Sequence, residues 1–432
     1  MSSAPIVSVR DLKAHEGETV TVQGWLYNRR SSKKIHFLLV RDGTGIVQSI
    51  LPKAADEALF ESSGTLAQET SLAVTGEVKV DERAPGGVEL KVSGVEVFGE
   101  SVDYPLGKQD HGPDFLLSHR HLWLRSKRPT ATLRIRATVL RAIRDFLDGR
   151  GFTAVDAPMF TPNACEGTST LFEVDYMDEQ KAYLTQSGQL YMEAAAMALG
   201  KVYCLGPAFR AERSKTRKHL TEFWMLEPEM AYASLDDVLD LSEGILAAIV
   251  GRVLESNRED LEVLERDVAA LEAIVPPFPR MRYAEAAEIL KDKTDFKFGD
   301  DFGAPDEEAI TEGLTKPLLV THWPHEVKAF YMKRDPEDDR WALGVDVIAP
   351  EGYGEIIGGG ERATDQAFIE SQIAKHELPP EAFEWYLDLR RYGSVPHGGF
   401  GLGVERVVSW VCGLKHVREA IPFPRTIYRI YP

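Results

Sequence analysis

Over the first hundred residues the apolar positions read as strands. Thr19 to Leu26 alternates, Ile35 to Val40 is apolar and branched, and Gly45 to Ile50 follows an Asp-Gly turn signal. Ser71 to Val80 and Val88 to Phe98 add two more strand patterns, joined by Asp81 to Gly87 with its Pro-Gly-Gly, and Pro52 to Ser62 has room for one short helix. Ser101 to Ser118 lacks periodicity and contains Pro105, Gly107, Gly112 and Pro113, as a linker does. The period then changes. Leu133 to Asp148 puts Ile135, Val139, Ile143, Phe146 and Leu147 on one helix face and stops at Gly149 and Gly151. Beyond it, strands and helices mix without the regular alternation of a parallel α/β fold, and glycine-bounded hairpins predict an antiparallel sheet flanked by helices. The predicted class is α+β, with a first domain over 1–100, a linker over 101–125 and a second domain over 126–432.

Five strands with a helix between the third and fourth is the element order of an OB-fold barrel, which binds single-stranded nucleic acid on strands two and three. Net charge over the 432 residues is −18, which argues against a protein that coats nucleic acid without specificity. It does not exclude an RNA ligand, which local patches decide, although a charge run is commonly just a solvated face. Asn28 to Arg41 carries Arg29, Arg30, Lys33, Lys34 and Arg41 with no acid, and Gln48 lies on the next strand. Phe37 sits within that stretch, as a base-stacking platform or as core; position alone leaves both open. No run approaches the roughly 20 apolar residues of a membrane span. The first ten residues carry no basic-then-apolar leader pattern. Cys165, Cys204 and Cys412 are far apart, with no CxxC, which predicts small buried residues in a reducing cytoplasm. The histidines include no HxxxH pair, so zinc is not expected.

The chain has no GxGxxG and no GxxxxGK[ST], so a nucleotide would be bound on neither of those plans. Its most chemically specific segment is Gly206 to Glu229, read as strand, basic loop, strand. Arg210 and Glu212 share a strand face by the period of two, and the loop carries Arg213, Lys215, Arg217, Lys218 and His219. An arginine fixed beside a basic loop suits a polyphosphate, and Glu212 can accept from an adenine amino group.

This segment resembles motif 2 of the class II aminoacyl-tRNA synthetases. Gly151 to Pro162, with Pro158, resembles motif 1, the dimer-interface helix and strand. Gly399-Phe-Gly-Leu-Gly-Val-Glu-Arg406 resembles motif 3. With the barrel, nearly the whole chain resembles subclass IIb, the aspartyl, asparaginyl and lysyl enzymes. His219-Leu-Thr-Glu-Phe-Trp-Met-Leu-Glu-Pro-Glu229, Tyr386-Leu-Asp-Leu-Arg-Arg-Tyr392 and Ile421-Pro-Phe-Pro-Arg425 are similar to the asparaginyl branch. Aspartyl members usually carry Asp where Glu227 stands. The short stretch between the motif 2 hairpin and Gly354-Glu-Ile-Ile-Gly-Gly359 leaves no room for the insertion of bacterial-type aspartyl enzymes.

The resemblance implies activation of L-asparagine by ATP to an adenylate, then transfer to tRNA-Asn, in a cytoplasmic homodimer that uses Mg²⁺ and no membrane. By motif position, Arg210 holds the α-phosphate and the amino-acid carboxylate, Glu212 reads adenine and Phe223 stacks under it. Arg406 stacks on the other face or meets the γ-phosphate, and Arg217 and His219 hold the outer phosphates. Glu355, helped by Asp346, binds Mg²⁺; Gly358 stands where relatives have a serine ligand, and Gly360-Glu361 replaces a more usual Ser-Gln. Ser187 and Gln189 start a helix at the amino-acid site, with Gln189 accepting from the α-ammonium, and Glu166 closes over the substrate. Glu227 and Arg362 are the acceptor and donor for the side-chain amide, although Glu227 equally suits the ammonium. Arg29, Arg30, Phe37 and Gln48 form the implied anticodon face. An archaeal-type aspartyl enzyme is the close alternative. An asparagine synthetase paralogue is disfavoured by the intact barrel, and a non-catalytic RNA-binding paralogue by the presence of Arg210, Glu212, Glu355 and Arg406 together.

Overall fold

The computed structural model describes residues 4–107, 109–165, 171–177 and 180–432, in two compact units, Met1–His111 and Gly112–Pro432. In the first, β1 (Thr19–Ser31), β2 (Ile35–Arg41), β3 (Ile46–Pro52), β4 (Ser71–Val80) and β5 (Val88–Gly99) close into a barrel in the order β1-β2-β3-β5-β4. The helix Glu57–Ser63 lies between β3 and β4 and is capped by Asp56, whose side chain accepts from the Leu59 N–H. Closure follows from the alternation: Val20, Val22, Leu26, Leu38, Val40, Val47 and Leu51 all point into one core and are essentially inaccessible. A closed sheet also leaves no unpaired edge.

The second unit is built on an eight-stranded sheet. Its strands are β6 (Thr153–Ala154), β10 (Lys201–Phe209), β11 (Glu222–Ala231), β12 (Arg280–Arg282), β13 (Leu318–Pro324), β14 (Trp341–Ala349), β15 (Gly354–Glu361) and β16 (His397–Gly403). They run in the order β12-β13-β14-β15-β16-β11-β10-β6. The antiparallel expectation holds for the centre, but β6 with β10 and β12 with β13 pair in parallel. Both parallel pairs join strands separated by long connections, which is the only way a chain can return in the same direction. A small sheet of β7 (Phe160–Thr161), β8 (Glu173–Tyr176) and β9 (Gln180–Leu184) lies beside it in sequence.

The predicted helix starts earlier than its apolar face, spanning Lys127–Asp148, and buries Ile135, Val139, Ala142, Ile143 and Leu147. It packs with the helix Leu235–Ser256, whose start carries a Ser234–Asp237 capping box, into the main core over the sheet. Each such aliphatic side chain contributes about 1.5–3 kcal/mol on burial. Phe152, at the motif 1 segment, joins this core, while Met159 and Phe160 are exposed. Part of the stretch expected as linker is helical, Pro113–Ser118 and Arg120–Trp123. There the buried Arg120 donates to the carbonyls of Glu419, Ile421 and Pro422. No described helix is long and apolar enough to cross a membrane.

Candidate active site

The hairpin β10–β11 and the strands beside it supply the site. Along β11, Phe223, Met225, Glu227 and Glu229 alternate onto one face, because successive strand side chains point to opposite sides. β10 ends at Phe209, so Arg210 and Glu212 sit just past the strand rather than within it. The ladder still reaches Arg210, whose N–H donates to the Thr221 carbonyl at 3.0 Å. β16 then turns at Gly403 into the helix Val404–Cys412, which buries Val404, Val407, Val408 and Val411 and leaves Arg406 to face the site.

Two cavities meet there. One encloses about 680 Å³ and is lined by Arg210, Glu212, His219, Phe223, Glu355 and Arg406 among others. The Arg210 guanidinium carbon lies 5.5 Å from the Phe223 ring centroid. Arg406 donates to the Glu355 carbonyl at 2.7 Å and to its carboxylate at 3.2 Å. Burial lowers the His219 pKa, and Arg406 adds to this, so the ring is neutral. Arg217, expected with the outer phosphates, is exposed and lines a neighbouring cavity with Lys218 and Arg406.

The second cavity, about 1120 Å³, is lined by Ser187, Gln189, Glu227, Lys328, Asp346 and Arg362 among others. Arg210, Met225, Glu355 and Gly401 line both cavities. Burial raises the Asp346 carboxyl to about 7, with Lys328 opposing and Glu355 adding. Burial also pushes Glu355 up, but Arg406, Lys328 and Arg210 outweigh it and bring it below the usual carboxylate range. The Lys328 ammonium lies 2.5 Å from Asp346. A Cβ at Gly358 would sit 2.7 Å from the Glu355 carboxylate and 3.6 Å from that of Asp346, so both acids converge over this glycine. Hard oxygen donors of this number fit Mg²⁺, which takes one or two carboxylates and completes its shell with water and phosphate oxygens. Among the described residues no group of three His, Cys, Asp or Glu side chains could hold a metal by itself.

At the far end of this cavity Glu227 is buried and accepts from the Gly188 N–H at 2.8 Å, from the Ser187 hydroxyl and from the Cys204 thiol at 3.4 Å. Gly188 permits this approach, since a Cβ there would lie 2.7 Å from the Cys204 sulfur. Burial, together with Glu227, raises the Cys204 thiol well above its usual range, and all three cysteines are free and buried. Arg362 is not set against Glu227; its Nε and Nη2 form a buried two-pronged pair with Glu229 at 3.1 and 3.0 Å. Gln189 donates its amide to Glu193 at 2.6 Å, which leaves its carbonyl oxygen toward the Cys165 thiol and the cavity.

Glu193 is fully buried and also accepts from Tyr386, Arg390 and His397 at 2.8, 2.6 and 2.8 Å. Burial pushes this carboxyl up, but Arg390 and His397 outweigh it and hold it ionised. The other His397 nitrogen lies 2.7 Å from the Val395 carbonyl oxygen. Both ring nitrogens face acceptors, so the imidazole is a cation. With that proton, Glu193 and Glu229, buried behind the cavity wall, are matched by Arg362, Arg390 and His397. Glu193, Glu229, Lys328, Tyr386 and Arg390 were given no site role from the sequence. Glu229 carried a signal in its two-residue spacing from Glu227, and Tyr386 and Arg390 in the Tyr386 to Tyr392 string. Glu166 lies outside the described residues.

In the barrel unit, Phe37 is half-buried on the outer face, between the inward-pointing His36 and Leu38. Arg30 lies over its ring at 5.9 Å and donates to Gln48 at 3.3 Å, so these three residues are brought together. Arg29 is not part of that cluster. Its guanidinium donates to the Ser63 carbonyl at 2.9 Å, at the end of the short helix.

A family profile described as tRNA synthetases class II (D, K and N) matches residues 112–427, and one described as OB-fold nucleic acid binding domain matches 20–98. Among curated proteins, the chain is 57% identical to an asparagine–tRNA ligase of Sorangium cellulosum over 100% of both chains. It is 56% identical to one of Desulforamulus reducens, over 98% of this chain and 99% of that one. Among solved structures it resembles the asparaginyl-tRNA synthetase of Pyrococcus horikoshii complexed with asparaginyl-adenylate, with a TM-score of 0.95, 44% identity and full coverage of both. The corresponding Entamoeba histolytica complex gives a TM-score of 0.89 at 30% identity over 100% of both chains.

Proposed function

The chain belongs to the class II tRNA synthetases of the D, K and N group, and we infer that within it this enzyme joins L-asparagine to tRNA-Asn. The asparagine carboxylate attacks the α-phosphate of ATP and pyrophosphate leaves. The terminal adenosine hydroxyl of the tRNA then attacks the adenylate carbonyl and releases AMP. The first nucleophile is already ionised, so the site's task is to align the reactants and neutralise charge on an in-line transition state.

Arg210 is suited to that task because it lines both cavities and can touch the α-phosphate and the incoming carboxylate together. Glu212 and Phe223 would take the adenine, and Arg406, with His219 and Arg217, the outer phosphates. Glu355 and Asp346 would hold Mg²⁺, which when bound supplies neutralisation of the phosphate charge. Gln189, oriented by Glu193, offers its carbonyl to the α-ammonium, and Ser187 completes that corner.

The observation that carries the amide assignment is the buried Arg362–Glu229 pair. Arg362 is already neutralised by Glu229, so a second carboxylate finds no spare cation there, while an amide needs none. Glu227 would accept from the side-chain NH₂ of asparagine, and Arg362 would serve its oxygen. ATP–pyrophosphate exchange with asparagine and aspartate in parallel tests this: exchange with asparagine alone is expected, and equal exchange with both would overturn it. The same reading gives a homodimer, supported by the exposed Met159 and Phe160 beside motif 1, and a cytoplasmic location, supported by three free cysteines. In the barrel, Arg30, Phe37 and Gln48 suit an anticodon base, with the loop Asp81 to Gly87 leading into β5, whose Glu89 pairs with Gln48.

A further inference from the structure

The second cavity holds a cation that the proposed chemistry leaves unassigned. Lys328 follows β13 after one short turn, His325–Val327, and its side chain is largely buried. On one side its ammonium donates to the Asp346 carboxylate at 2.5 Å. On the other it lies 3.8 Å from the ring centroid of Trp323. Indole is the aromatic face that attracts a cation most strongly. That face is itself fixed. The Trp323 N–H donates to the Val320 carbonyl at 3.0 Å, and the ring packs on Phe302 and Tyr283 at centroid distances of 4.6 and 5.0 Å. A lysine is ordinarily a flexible, strongly hydrated surface charge, so one pinned between an indole and a carboxylate is a built feature of the site.

The carboxylate it holds is one of the two assigned to Mg²⁺. Asp346 and Glu355 converge over Gly358 on the wall of this cavity, which Lys328 and Asp301 also line. Glu355 and Asp301 lie within electrostatic reach of the ammonium, and Arg210 and Arg406 add positive charge at Glu355. A divalent ion approaching the acid pair alone therefore meets fixed positive charge at close range, with little water to screen it. An ion that arrives on a triphosphate meets a different balance, because the phosphate oxygens bring negative charge that offsets the ammonium.

We propose that Lys328 is a positioning residue that acts through Asp346: it neutralises the acid pair from within the protein and closes it to free divalent ions, so that Mg²⁺ enters only as its nucleotide complex. The proposal rests on the metal assignment made above. Its test titrates the nucleotide-free, full-length enzyme with Mn²⁺ and reads the free ion by electron paramagnetic resonance. Lys328→Met should bind Mn²⁺ at least about fivefold more tightly than wild type, the least that removing one adjacent unit charge gives even in water. Lys328→Gln, which can still donate to Asp346, should show the same gain. Lys328→Arg, which keeps the charge, should stay near wild type. A lysine with only a structural task would give the opposite sign, since its loss would loosen Asp346 and weaken Mn²⁺ binding. Adding Asp346→Asn to Lys328→Met should abolish the gain, which locates the ion. Unchanged or weaker binding in both neutral variants, still dependent on Asp346, would overturn the proposal alone and leave Lys328 to a phosphate or to packing. Mn²⁺ binding that ignores Asp346 in every variant would overturn the metal assignment, and the proposal with it.

Discussion

Replacing Glu227 by glutamine separates its two possible jobs. The carboxylate accepts from the Gly188 N–H at 2.8 Å on one oxygen and from the Ser187 hydroxyl on the other. An amide cannot do both unchanged. With its nitrogen toward Gly188, two donors would face each other across that short distance. With its nitrogen toward Ser187, it meets a hydroxyl that can rotate and accept. The second arrangement wins, and it turns an NH₂ toward the place proposed for asparagine's own NH₂. Losing that acceptor costs about 1–3 kcal/mol, or about 5- to 150-fold in kcat/KM for asparagine. Aspartate faces the opposite change, since repulsion from Glu227 is removed and a donor replaces it. The discrimination, which a site of matched polar groups can take to about 10⁴, should narrow. Pyrophosphate exchange with each amino acid measures both effects, and circular dichroism melting checks that Gly188 and Ser187 remain held. An equal fall for asparagine and aspartate would refute the reasoning and assign Glu227 to the shared ammonium.

Phe37→Ala should weaken tRNA binding by about 1–3 kcal/mol and leave pyrophosphate exchange intact, because the ring lies on the outer barrel face between inward neighbours; binding titrations decide it. Glu193→Ala should destabilise the catalytic unit by about 3–5 kcal/mol in denaturant melts, since it strands a buried Arg390 and His397. Burial lowers the His397 pKa, but Glu193 more than offsets this and the net shift is upward. Its contribution to stability is therefore full below the usual histidine range and is lost as pH rises through the raised value. Melting temperature should fall over that alkaline limb in the wild type, and His397→Gln should flatten it. Sedimentation at micromolar concentration should give a dimer, with an active monomer as the refuting result.

The barrel was legible because the order of its apolar runs gives five strands with one helix between the third and fourth, while the side Phe37 takes on β2 was settled only by the burial of His36, Leu38 and Val40. Arg210, Glu212, Phe223, Glu355 and Arg406 were legible as a set because two short contiguous segments and one glycine-rich turn hold them. The support of the amino-acid cavity was not. Glu193, Arg390 and His397 come from three distant elements, each looks like an ordinary helix or strand polar residue alone, and only the tertiary fold joins them. Arg29 lies apart from Arg30 for the related reason that successive residues on a strand alternate in direction, so neighbours in sequence serve different faces. The parallel edge pairs left no trace because pairing direction depends on connections rather than on the strands' own composition.

The wall shared by the two cavities has a thermodynamic consequence. Arg210, Met225, Glu355 and Gly401 line both cavities, so on the proposed assignment occupancy of one should change the free energy of filling the other. Such linkage is reciprocal: whatever factor bound ATP lends to the affinity for asparagine, bound asparagine must return to ATP. A substitution in that wall would then alter the cooperativity between the two ligands, and calorimetry with each ligand in the presence of the other would read the wall as a single coupling constant rather than as two separate sites.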